Sequence, residues 1–159
     1  MKYIDTSIVF REVPDEITLA INISGCPLHC EGCHSPWLWE DTGSELSAES
    51  LSALIDANPG ITCVSLMGGD ADPEKVVSLL QDVRLRYAEA VKTCWYSGRD
   101  LSQVKGYIVP DVLDYIKTGP YIASRGPLDR EGTNQRMYRV MTLADGTMVF
   151  KDITSIFWL

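Results

Sequence analysis

Cys26, Cys30 and Cys33 fall within eight residues, in the stretch Ser24-Gly25-Cys26-Pro27-Leu28-His29-Cys30-Glu31-Gly32-Cys33-His34. Their spacing is C-x3-C-x2-C. The next cysteine, Cys63, lies thirty residues further on, in an apolar run. A structural zinc ion takes four ligands, and a four-iron cluster has four iron corners. Three thiolates leave one iron of such a cluster open to a substrate or cofactor, so the loop reads as a catalytic iron–sulfur site. Two other readings use the same residues. Cys30 to His34 is formally C-x-x-C-H, a haem attachment signal. That reading needs an export route and leaves Cys26 without a role. A zinc ion could instead take the three thiolates with His29 or His34. Both histidines lie so near the cysteines that reaching the fourth corner would strain the loop.

A second candidate is Gly68-Gly69-Asp70, directly after the apolar run Ile61 to Met67. Paired glycines let a ligand approach the backbone closely, and the aspartate can accept from a polar or cationic group. The same residues also suit a plain strand-to-helix turn, with Asp70 or Asp72 near the N-terminus of the helix that starts at Pro73. Ser97-Gly98 follows a further apolar run in the same way. Cys63 and Cys94 sit among apolar neighbours and read as small buried hydrophobes. Trp37 and Trp39 either cover the cysteine loop or pack the core. Arg125, Arg130, Arg136 and Arg139 form a solvated face or meet an acidic partner.

These loops need elements to hold them. Ile4–Val9 and Ile17–Ile23 read as strands, the second running into the cysteine loop. Leu46–Ala57 reads as a helix with Ser47 as its N-cap and Glu49 in its first turn, stopped by Asn58-Pro59-Gly60. Ile61–Met67 is a continuous apolar strand, as expected when both faces of a parallel sheet are covered. Pro73–Ala90 is a helix with Val76, Val77, Leu79, Leu80 and Val83 inward. Val91–Tyr96 is a strand, Leu101–Val104 a short helix, and Val112–Ile116 a short strand or helix. Gly119–Asn134 is loop-rich. Arg136–Leu143 and Thr147–Ile153 flank Ala144-Asp145-Gly146 and read as a terminal hairpin.

Strands that alternate with helices imply β-α-β units. A closed eight-unit barrel takes about 250 residues. At 159 residues the expectation is one α/β domain over residues 1–159: an open, partial, barrel-like and mainly parallel sheet ending in a hairpin. Ligands of such sheets bind beyond the C-terminal strand ends, which is where the cysteine loop, Gly68-Gly69-Asp70 and Ser97-Gly98 all lie.

The net charge is −8, from 14 basic and 22 acidic residues, with no basic cluster of the kind nucleic acid requires. No run of about 18 apolar residues spans a bilayer, and the first residues carry no apolar signal core. The expectation is a cytoplasmic chain with no nucleic-acid or membrane partner. In a reducing compartment, bunched cysteines favour metal over disulfides.

The three loops together resemble the radical S-adenosylmethionine enzymes, whose hallmark is C-x3-C-x2-C. The resemblance is closest to the branch that activates anaerobic ribonucleotide reductases. That branch places glycine where Gly32 stands, and Gly-Gly-Asp where Gly68 to Asp70 stand. Its later W-x-x/T-G and D-G-x-(F/Y)-I … G-S-(S/T)-N-Q segments resemble Cys94 to Gly98, Thr118 to Ile122 and Gly132 to Gln135. Two stretches depart from it. Glu12-Val13-Pro14-Asp15-Glu16 replaces Gly-Pro-Gly-x-Arg, and Met67 replaces a serine.

The resemblance implies a [4Fe-4S] cluster on Cys26, Cys30 and Cys33. It also implies S-adenosylmethionine held near Gly32, Cys33, His34, Gly68, Gly69, Asp70 and Ser97. The implied activity is reductive cleavage of S-adenosylmethionine to place a glycyl radical on anaerobic ribonucleoside-triphosphate reductase, with a low-potential electron donor as second partner. Alternatives are a related enzyme acting on another glycyl-radical enzyme or a small molecule, and a small iron–sulfur electron carrier.

Overall fold

The computed structural model describes residues 1–158. In chain order its elements are β1 (Lys2–Val9), β2 (Thr18–Ile23), β3 (Ser44–Glu45), α1 (Ala48–Asp56), β4 (Cys63–Met67), α2 (Pro73–Tyr87), β5 (Lys92–Tyr96), α3 (Leu101–Val104), β6 (Tyr115–Thr118), β7 (Arg136–Thr142) and β8 (Met148–Asp152). The eight strands form one open sheet in the order β3-β1-β2-β4-β5-β6-β7-β8.

The sheet is parallel at its centre, where β2, β4, β5 and β6 run together. Both flanks are antiparallel. On the β1 side connection length decides the direction. A parallel crossover needs a dozen or more residues. Only eight residues, 10–17, join β1 to β2, so β1 turns back on its neighbour. The hairpin of β7 and β8 forms as its sequence indicates, around Asp145-Gly146. The segment expected at Val112–Ile116 is the strand Tyr115–Thr118, set three residues later. β3 is two residues long, too short to leave any periodicity in the sequence.

Side-chain alternation along the central strands feeds two cores. Leu19 and Ile21 of β2 and Val64 and Leu66 of β4 pack against Val76, Leu79 and Leu80 of α2. The intervening residues face the other way, where Cys63 and Cys94 meet Val13, Tyr115 and Met137. Both faces of β4 are therefore covered, which is why it reads as one unbroken apolar run.

α1 starts at Ala48, two residues after the expected Leu46, because Ser47 caps it, and α2 starts at Pro73 as expected. Ser50 N donates to Ser47 Oγ at 3.1 Å, and Ser47 N donates to Ser50 Oγ at 2.8 Å, a reciprocal cap on α1. Lys75 N donates to Asp72 Oδ1 at 3.1 Å at the start of α2. α2 ends at Tyr87 rather than Ala90, because Ala88 takes φ +49° and the chain tightens into a 3-10 turn. Among the described residues, no helix is long and apolar enough to cross a membrane.

Candidate functional site

Cys26, Cys30 and Cys33 follow β2 and lie at the C-terminal edge of the parallel strands, all three as half-buried free thiols. The loop is shaped by residues in the left-handed region: Gly25 at φ +74°, His29 at +47° and Gly32 at +73°. Backbone bonds fasten it to the segment that follows. Gly25 N donates to Glu40 O at 3.0 Å, and Cys26 N donates to Leu38 O at 2.9 Å. Trp37 and Trp39 belong to this segment, which is a short 3-10 turn over Pro36–Trp39. Trp37 is 57% exposed. The Trp39 ring stacks on His29, with centroids 4.7 Å apart and planes 20° apart.

The other two loops close on this one. Asp70 follows β4 and is 3% exposed. Its carboxylate accepts from Ser97 Oγ at 2.5 Å and from Gly98 N at 2.9 Å, both just beyond β5. Of the two helix-cap candidates, Asp72 caps α2 and Asp70 bridges strands. A side chain on Gly98 would collide with Leu28 of the cysteine loop. The three strand-end loops thus touch in sequence: cysteine loop on Gly98, and Ser97-Gly98 on Asp70.

Gly68 and Gly69 adopt φ +109° and +91°. A Cβ on Gly68 would lie 3.3 Å from Ile23 O, and one on Gly69 would meet Val76. The glycines therefore make room for the protein's own strands and helix, and the sharp turn that results leaves backbone at the strand ends.

A cavity of about 630 Å³ opens beside the cysteine loop, lined by Cys33, His34, Tyr96, Lys117, Tyr121 and Gln135 among others. Its size is that of a small-molecule site. His34 and Tyr121 meet edge to face at 4.9 Å. Gly32 lies against the same wall: a Cβ there would sit 3.6 Å from Tyr121 Cε1. Tyr96 O–H donates to Glu12 O, and burial pushes its phenol well above the ordinary range.

Lys117, on β6, is the charged residue that the sequence reading passed over. It is 8% exposed, and its Nζ donates to Gly119 O at 2.9 Å. Burial pulls its pKa down to about 8, while the negative charges of Asp70 and Cys30 push it back up. An ammonium has three donors. Among the described residues one of them is used, which leaves two for an anionic group in the cavity. A single lysine inside the buried run Tyr115-Ile116-Lys117-Thr118 was the available signal.

The thiols are of two kinds. Burial raises Cys26, against the pull of backbone N–H groups of Leu28 and His29 on its sulfur. Ser35 N donates to Cys33 Sγ at 3.4 Å. Cys63 and Cys94 are fully buried, as expected of small hydrophobes. Burial pushes Cys94 up to about 12 and Cys63 higher still. The late arginines disperse. Arg139 Nη2 donates to Tyr115 Oη at 3.1 Å, Arg136 pairs with Asp152 at 3.6 Å, and Arg125 and Arg130 are exposed.

Three half-buried thiols in one loop, with a backbone N–H donor at Cys33, fit an iron–sulfur cluster, whose potential is tuned by hydrogen bonds to sulfur. Among the described residues, no three His, Cys, Asp or Glu side chains gather as a single metal ion would require. A zinc ion needs its thiolates converged at about 2.3 Å from one centre. A four-iron cluster instead meets each thiolate at a separate corner.

The family model of the 4Fe-4S single cluster domain matches residues 17–140, from the start of β2 through most of β7. Neither the curated proteins nor the solved structures yield a match. The matched span contains all three strand-end loops, Lys117 and Tyr121, and over that span the chain belongs to the 4Fe-4S single cluster domain family.

Proposed function

We propose that this iron–sulfur domain is a glycyl-radical activating enzyme of the radical S-adenosylmethionine type. In this reading Cys26, Cys30 and Cys33 are the cluster ligands. The observation that carries the proposal is the interlocking of the cysteine loop, Gly68-Gly69-Asp70 and Ser97-Gly98 beside a cavity with a buried lysine. A four-thiolate electron carrier has no use for an adjoining cavity or for a buried ammonium with free donors.

When bound, such a cluster supplies one electron for cleavage of S-adenosylmethionine to methionine and 5′-deoxyadenosine, with the hydrogen atom taken from a glycine Cα of a partner protein. The chain's own residues position the reactants. Backbone at Gly68 and Gly69, fixed by the Asp70 bridge, borders the methionine end. Lys117 offers its free donors to the carboxylate. Gly32, Cys33, His34 and Ser97 border the adenosine end. The partner is an anaerobic ribonucleoside-triphosphate reductase, and the electron comes from a low-potential donor.

The test is anaerobic reconstitution with iron and sulfide, reduction, and addition of S-adenosylmethionine with and without the reductase. Methionine and 5′-deoxyadenosine should form. A doublet in the electron paramagnetic resonance spectrum should appear with the reductase and vanish when its radical-bearing glycine becomes alanine. A cluster that forms without cleaving S-adenosylmethionine overturns the enzyme reading. Cleavage that activates a different glycyl-radical enzyme overturns only the partner.

A further inference from the structure

Four tryptophans occur in the sequence, Trp37, Trp39, Trp95 and Trp158, and their indoles meet different fates. Trp95 Nε1 donates to Gly68 O at 2.8 Å, although the ring is buried. Trp37 is 57% exposed and Trp158 37% exposed. Among the described residues, Trp39 Nε1 is buried and has no hydrogen-bond partner. Leaving a buried donor unpaired is costly, so a group in this state calls for an acceptor that the described residues do not supply.

The setting of Trp39 says what that acceptor is. The ring stacks on His29, the residue before Cys30. On either side of Trp39 the backbone is bonded to the cysteine loop, through Leu38 O to Cys26 N and Glu40 O to Gly25 N. Among the described residues the indole N–H is a free donor, on a ring stacked against the loop that carries the three thiols. The same loop already directs an N–H group at sulfur, from Ser35 at Cys33.

We propose that the Trp39 indole N–H donates a hydrogen bond to a sulfur of the iron–sulfur cluster and so raises its reduction potential. The inference rests on the assignment of Cys26, Cys30 and Cys33 as ligands. A donor to sulfur stabilises the reduced cluster more than the oxidised one, because the reduced cluster carries the additional negative charge. Trp39 acts on the cluster and not on the substrate.

Two measurements test this on the reconstituted protein. In Trp39→Phe the stacking partner of His29 is kept and the N–H is lost. At the potential where the wild type is half reduced, the reduced-to-oxidised ratio of the variant should fall about threefold or more, roughly 30 mV at 59 mV per decade. The second measurement needs no Trp39 variant. Protein labelled with ¹⁵N-indole tryptophan should show a nitrogen coupling to the reduced cluster in pulsed paramagnetic resonance, retained in Trp37→Phe. An unchanged potential in Trp39→Phe, or no nitrogen coupling in the labelled wild type, overturns the proposal while the cluster reading stands. Full iron and sulfide content in Cys30→Ala overturns both.

Discussion

Asp70 and Ser97 are 27 residues apart in the chain and share a 2.5 Å hydrogen bond beyond the ends of neighbouring parallel strands. With the Gly98 N–H on its other oxygen, the Asp70 carboxylate holds the β4 and β5 loops as one unit. Arg99 extends the link by donating from Nη2 to Asp70 O at 3.2 Å.

Loss of the Ser97 hydroxyl leaves a buried carboxylate oxygen without its donor. Ser97→Ala should destabilise the apoprotein by about 1–3 kcal/mol. Ser124→Ala, at an exposed turn, should stay within about 0.5 kcal/mol. Urea unfolding of both variants makes the comparison. Equal midpoints would show that the bridge contributes nothing to the fold.

Gly98 is required by what lies against it. A Cβ there collides with the Cδ1 tip of Leu28, so Leu28 must turn aside and Gly98→Ala should cost about 1 kcal/mol, the low end for overpacking. Trimming the opposing side chain should relieve the clash. The double variant Leu28→Ala/Gly98→Ala should therefore lose less than the sum of the two single losses. Gly106→Ala, with nothing near its Cβ, serves as the neutral control. Strict additivity in denaturant melts would remove the proposed contact.

Ligand assignment divides the five cysteines into three and two. Cys26→Ala, Cys30→Ala and Cys33→Ala should each lose bound iron and sulfide after reconstitution. Cys63→Ala and Cys94→Ala should keep both, at a stability cost of about 1 kcal/mol for the small cavity left behind. Loss of iron in Cys94→Ala is the outcome that contradicts this division.

Lys117 gives the apoprotein a specific pH dependence. Its pKa falls from 10.5 to about 8 on folding. Between those values the unfolded chain holds a proton that the folded chain has released, so stability rises with pH. The raised thiols of Cys94 and Cys63 act in the opposite sense as the unfolded chain's thiols titrate around pH 9, equally in wild type and in Lys117→Met. The window to compare is pH 8 to 9. Across it the wild type should gain up to about 1 kcal/mol relative to Lys117→Met. Parallel pH profiles in urea melts would show that Lys117 is not desolvated.

Much of the architecture could be read locally. The caps at Ser47 and Asp72, the breaks at Gly60 and Gly98 and the hairpin around Asp145-Gly146 are set by residues within a few positions of one another. The apolar run ending at Met67 marks a strand covered on both faces for the same reason. The three cysteines stood out in the sequence because their close spacing is itself a local feature. The expected helix end at Ala90 failed because Ala88 turns into the left-handed region, which alanine does not advertise.

The purpose of the two glycines was legible only in part. Their presence after a strand marked a sharp turn, but a free approach for ligand is also what a turn against Val76 and Ile23 O looks like in sequence. Asp70 had two equally good local roles, and only the strand order placed Ser97 beside it. Lys117, Tyr121 and the orphaned Trp39 N–H depend on which chain segments meet across the sheet edge. Sequence alone determined the thiol loop, the element order and the strand ends that carry the site. Tertiary structure decided which polar groups are buried together there, because desolvation and pairing act between residues that only folding brings into contact.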